Sequence, residues 1–156
     1  MTAMGRKGLV QGYFMLNIKA VTEIALAAGR ALSANCKDIN SPFIHGYPWN
    51  CCELVAVHLG SVLRNANPHK EVQIVRAYNS STDGLHYWVE MDNLVLDLTA
   101  HQFDEFWEPL VCKKPSPLEN RFPDIERISS SDAACDARFE INPQIECILA
   151  AFGKQP

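Results

Sequence analysis

Cys52, His86 and Asp97 are the residues of this 156-residue chain whose types and spacing could carry covalent chemistry. Attack on an amide or ester carbonyl needs a nucleophile, a group that moves its proton, and a third group that fixes the tautomer of the second. Cysteine supplies the nucleophile, histidine titrates near neutrality, and a carboxylate orients the imidazole. Cys52 ends the stretch Tyr47-Pro48-Trp49-Asn50-Cys51-Cys52, which leads into a helical pattern. Asn50 is a favoured N-cap type, so Cys52 is expected in the first helical turn. Unpaired backbone N–H groups and the helix dipole favour a thiolate there. Cys51 competes for the same role, because a change of register by one residue would exchange the two orientations.

The spacing of His86 and Asp97 is more telling. Residues 85–91 and 94–99 are rich in Val, Leu and aromatics and are separated by Asp92-Asn93, a two-residue hairpin loop. That loop opposes 91 with 94, 90 with 95 and 88 with 97. Opposed residues share a face and successive residues alternate. His86, Trp88 and Glu90 therefore fall on the face of Val95, Asp97 and Thr99, with His86 and Asp97 as diagonal neighbours about 7–8 Å apart at the backbone.

The elements that must hold these residues read as α+β. Residues 10–34 recur in apolar type at spacings of three and four (Leu16, Ala20, Ile24, Ala27), a helical period. Residues 35–50 are loop-like. A second helix is expected over 51–65, stopped by Asn65-Ala66-Asn67-Pro68. Strands follow at 71–78, 85–91 and 94–99. Beyond Phe103 the prolines at 109, 115, 117 and 123 suggest an extended wrapping segment and Ser129–Asp132 a turn, while residues 145–152 suit helix or strand equally. The whole of 1–156 reads as one domain, with N-terminal helices packed on an antiparallel sheet.

Other polar residues have narrower roles to offer. An oxyanion would be met by the Cys52 backbone N–H and one side-chain donor, for which Asn50, His45 and Gln102 are candidates. Trp88 suits a core or substrate wall, and His101 and Gln102 follow Asp97 closely enough to line the site. Glu90 reads either as a residue that orients the site or as an exposed strand end. His58, six residues after Cys52, suits a hydrogen-bonded helix-face histidine, and His69 a solvated loop. A Cys51/Cys52/His58 metal site lacks the second short-spaced ligand pair that structural zinc uses. No metal and no organic cofactor are expected.

Together, these motifs resemble the papain-like cysteine hydrolases in their transglutaminase-like branch. Asn50-Cys51-Cys52 stands where those families carry Gly-x-Cys, and His86-Tyr87-Trp88-Val89-Glu90 resembles their His-x-Trp-x-Glu strand. Asp97-Leu98-Thr99-Ala100-His101-Gln102-Phe103 is similar to an Asp-x-Thr-x-x-Gln-Phe segment that follows a His-x-Trp strand in some bacterial proteins. The resemblance spans about residues 45–103. It implies a papain-like fold and a Cys52–His86–Asp97 triad acting through a thioester as peptidase, amidase or transglutaminase. Asn50 replaces the usual glycine, and Gly46 stands where papain-type proteases place an oxyanion glutamine.

Composition bounds the alternatives. A net charge of −4 with scattered basic residues is unlike a nucleic-acid footprint or a polybasic membrane patch. No run approaches the roughly 20 apolar residues of a membrane span, and no signal-peptide pattern is seen at 1–10, so a cytoplasmic location is expected. The six cysteines form no Cys-x-x-Cys pair and are expected to be reduced. The expected partner is a peptide or other amide-containing substrate; the oligomeric state is open. A catalytically inactive binding module on the same fold and a secreted amidase effector or toxin are the competing functions.

Overall fold

The computed structural model describes residues 7–154, with side chains from Ile18 onward. Residues 1–6, where no signal-peptide pattern is expected, lie outside the described residues, and the Leu16 side chain lies outside the described side chains. Helix α1 (Lys7–Asn35) and helix α2 (Cys52–Ala66) match the two periodic stretches. The loop between them is a series of turns with a single 3-10 turn at Pro42–Ile44. Strands β1 (Val72–Asn79), β2 (Gly84–Met91) and β3 (Leu94–Asp97) follow.

The chain beyond Phe103 is more regular than its prolines suggest. It supplies β4 (Leu110–Lys113), α3 (Leu118–Arg121), β5 (Asp124–Ser129), α4 (Ser130–Asp136) and α5 (Pro143–Leu149). Ser129, expected in a turn, is the N-cap of α4 and accepts from the Asp132 N–H. Asn142 caps α5 in the same way through Gln144 and Ile145, so 145–149 is helix. The five strands form one antiparallel sheet in the order β4-β3-β2-β1-β5, so the late segment provides both edges.

Each face of the sheet is covered. Ile74, Val89, Leu94 and Leu96 pack under α1 and α2, where Ala25, Leu32, Leu54, Val55 and Leu59 are buried. On the other face Val75, Ala77, Trp88 and Val95 pack against Phe103, Leu118, Phe122 and Ile125. Both His86 and Asp97 belong to this second face, while Cys52 opens a helix that packs on the first. Where β3 stops, the two sides meet.

Candidate active site

The hairpin has the expected register: Met91 opposes Leu94, Glu90 opposes Val95 and Val89 opposes Leu96. Asp92 takes the left-handed conformation at φ 55° that the two-residue turn requires. The diagonal pair is therefore formed, and His86 Nε2 lies 2.6 Å from Asp97 Oδ2. The other carboxylate oxygen, Oδ1, accepts from the Thr99 backbone N–H at 2.9 Å and from its hydroxyl at 3.0 Å. Asp97 is thus held from both sides. Thr99 lies just past the end of β3 rather than within the strand, and this local Asp-x-Thr loop is what fixes the carboxylate.

The β2–β3 ladder ends at Val89 and Leu96, and beyond Asp97 the chain turns away through a short 3-10 segment at Ala100–Gln102. Cys52, at the start of α2, lies against this break and bounds the same small void as Tyr87, Trp88, Asp97 and Thr99. Nε2 of His86 is taken by Asp97, which leaves Nδ1 for Cys52 and for the Gln102 amide at 3.4 Å. Burial alone would lower the basicity of His86, but the Asp97 charge and hydrogen bond, with Cys52 on the other side, raise its pKa to about 9. Gln102 Nε2 donates at 3.1 Å to the Thr99 carbonyl, and its 3.4 Å contact with the ring is the longer and weaker of the two.

An aromatic wall makes His86 fully buried. Phe103 packs edge-on with ring centroids 4.8 Å apart, Phe122 lies at 5.4 Å and Trp88 at 6.1 Å. Arg121 caps Phe103 at 4.3 Å from its centroid. Tyr47 is buried and its hydroxyl donates to the Leu98 carbonyl, tying the loop before α2 to the chain just after Asp97. Sequence reasoning missed Tyr47, Phe103 and Phe122; only the Phe103 position, directly after Gln102, carried a signal.

The two adjacent thiols are in different environments. Cys51 is buried, and desolvation, then the neighbouring Cys52, Cys36 and Asp97, push its pKa up to about 12. Cys52 is part-exposed and opens on a surface cleft. All six cysteines are free, with Cys135 and Cys147 exposed.

The helix start differs from expectation. Cys51, not Asn50, is the N-cap, and its carbonyl accepts from Val55 N–H. Asn50 precedes it at φ 59°, a left-handed conformation open to glycine and asparagine but costly for most side chains. An asparagine in place of glycine suits this backbone. Asn50 is exposed and lines the cleft beside Cys52. His45 Nε2 is instead 3.0 Å from the Ile39 carbonyl within its own loop.

Other expectations resolve differently. Trp88 is fully buried and its indole N–H points to Glu90 at 3.4 Å, so it is a core residue rather than an open substrate wall. Glu90 is not an exposed strand end: it is 1% exposed and bridged by Arg127 at 2.8 Å and Lys114 at 3.2 Å. These partners come from β5 and the segment after β4 and lower its pKa despite burial. His58 is buried, with Nδ1 donating to the Leu54 carbonyl at 2.7 Å and Nε2 accepting from Asn142 N–H at 2.9 Å. It joins α2 to the cap of α5, and burial lowers its pKa. His101 packs edge-on against Tyr47 with its Nδ1 buried and unpaired, and burial lowers its pKa too.

Among the described residues no cluster of His, Cys, Asp and Glu could hold a metal ion, and no helix is long and apolar enough to cross a membrane. Comparisons with protein-family models, curated proteins and solved structures find no match to this chain.

Proposed function

We propose that this chain is a cysteine-dependent amide hydrolase or acyl transferase, built on a papain-like/transglutaminase-like plan, that works through a thioester on Cys52. The observation that carries the proposal is the geometry of the buried His86 ring, 2.6 Å from Asp97 at Nε2, with Cys52 bordering the same small void as Asp97. An imidazole beside a cysteine can take up and return the proton that thioester chemistry moves.

The steps follow from these groups. Cys52 Sγ attacks the carbonyl carbon, forming an S–C bond and an oxyanion that the free Cys52 N–H at the helix start is placed to meet. Collapse breaks the C–N bond, and His86 gives its proton to the departing amine. Water or an acceptor amine then attacks the thioester, losing its proton to His86. The S–C bond breaks, and thiolate and imidazolium are restored. Asp97, fixed by Thr99, keeps the ring oriented throughout.

Limiting iodoacetamide at pH 6 tests this directly. Cys52 is expected to be alkylated before the exposed Cys135 and Cys147, although it is less accessible than they are, and His86→Ala is expected to abolish that preference. Labelling that follows exposure alone would exclude an activated thiol and favour a binding module.

A further inference from the structure

Among the described residues, a surface cleft beside Cys52 opens on the nucleophile, and the acyl-transfer steps leave it unused. It measures about 220 Å³ and runs between the start of α2, the start of β2 and the segment before α5. Its walls are Phe43, Leu54, Leu85, Tyr87 and Phe139, with Cys52 among them. Pockets for drug-sized ligands span roughly 300–1,000 Å³, so this one suits a single bulky group rather than an extended ligand.

The walls are held open by contacts that do not depend on a ligand. Phe139 stacks on His58 with centroids 5.8 Å apart and tilts against Phe43 at 6.4 Å. Tyr87 is anchored by Arg76 Nε, which donates to its hydroxyl at 3.2 Å. Phe43 and Leu85 remain 55% and 42% exposed, an apolar surface that a bound group would cover. The charges at the cleft are Glu53 and Arg138, and they pair with each other at 3.5 Å. The rim is therefore balanced and offers no net charge to a charged ligand group.

We propose that this cleft is the acyl-group pocket of the enzyme and that it selects substrates whose acyl part carries an uncharged, bulky apolar group, aromatic or branched aliphatic. The proposal rests on the acyl-transfer function above. The apolar group lies among Phe43, Leu85 and Phe139, and the carbonyl sits at the inner end against Cys52. Acylation forms the S–C bond as the bond to the leaving amine or alcohol breaks and His86 gives the leaving group its proton.

Three p-nitrophenyl esters read this out: acetyl, phenylacetyl and succinyl. With each, the Cys52 sulfur bonds to the acyl carbon as the C–O bond breaks and nitrophenolate leaves. Rates of adduct formation at Cys52 are followed by intact mass and divided by the rate of the same ester with glutathione. Phenylacetyl is expected to exceed acetyl by about ten- to a hundredfold, the range for seating one apolar side chain. Succinyl is expected to show no such gain. Phe43→Ala, at a half-exposed position that folding tolerates, and Phe139→Ala are each expected to lower the phenylacetyl-to-acetyl ratio. Equal normalised rates for all three esters, or a ratio unchanged in both variants, would overturn the pocket and leave the triad standing. No acylation of Cys52 by any ester would overturn both.

Discussion

Asp97→Asn isolates the charge of the carboxylate from its geometry. Asparagine is nearly isosteric, and its carbonyl oxygen can go on accepting from the Thr99 N–H and hydroxyl now 2.9 and 3.0 Å away. What is lost is the negative partner of His86. The rise of the His86 pKa from 6.5 to about 9 is worth about 3 kcal/mol in favour of the imidazolium, at about 1.4 kcal/mol per tenfold change in proton affinity. The folded pKa lies above the unfolded one, so this contribution is fully present below pH 6.5 and is lost as the pH rises through about 9. The variant leaves the imidazolium buried without its counterion, and burial then drives the ring neutral. Urea unfolding of the two proteins should show a stability gap of about 3 kcal/mol at pH 6 that closes towards pH 10. Contributions from groups distant from position 97 are common to both proteins and cancel in the difference. Histidine ring NMR should place the wild-type midpoint near 9 and the variant midpoint below 6.5. A gap of equal size at both pH values, or a wild-type His86 that titrates near 6.5, would refute the argument.

Two further substitutions probe the backbone that positions Cys52 and α2. Asn50 holds φ 59°, so Asn50→Gly should preserve stability within a few tenths of a kcal/mol while Asn50→Val loses about 1–2 kcal/mol or more, read from denaturant midpoints. An exposed mid-helix glycine usually gains about 1 kcal/mol when changed to alanine. Gly60→Ala should instead destabilise by about 1–3 kcal/mol, because the new methyl would meet Ile74 Cδ1 at 2.6 Å and Ser130 Oγ at 2.9 Å; a stabilised variant would show that α2 is free to move off the sheet.

His86 and Asp97 could be placed together without any tertiary information because their relation is local. A two-residue loop fixes the pairing, the pairing fixes the parity, and parity puts both side chains on one face. The two long helices and the three central strands were legible for the same reason, since period and turn chemistry act over a few residues. The choice between Cys51 and Cys52 was not legible, because it turns on where the helix begins, and Asn50 is the favoured cap by residue type whereas Cys51 fills that role. That boundary is set by the preceding loop, which Tyr47 ties to Leu98 across 51 residues of chain. Glu90 reads equally as an exposed strand end or as a residue that orients the site, because its two cations arrive from beyond residue 110, on elements whose prolines hide β4 and β5. The Phe122 part of the aromatic wall around His86 and the Phe139 side of the cleft come from the same late segment. Local pattern therefore determined which residues could form a proton-transfer pair. Packing between distant segments decided which thiol faces it, how dry the imidazole is, and what shape of substrate can approach, because burial and charge neutralisation belong to contacts between elements and leave no period in the chain.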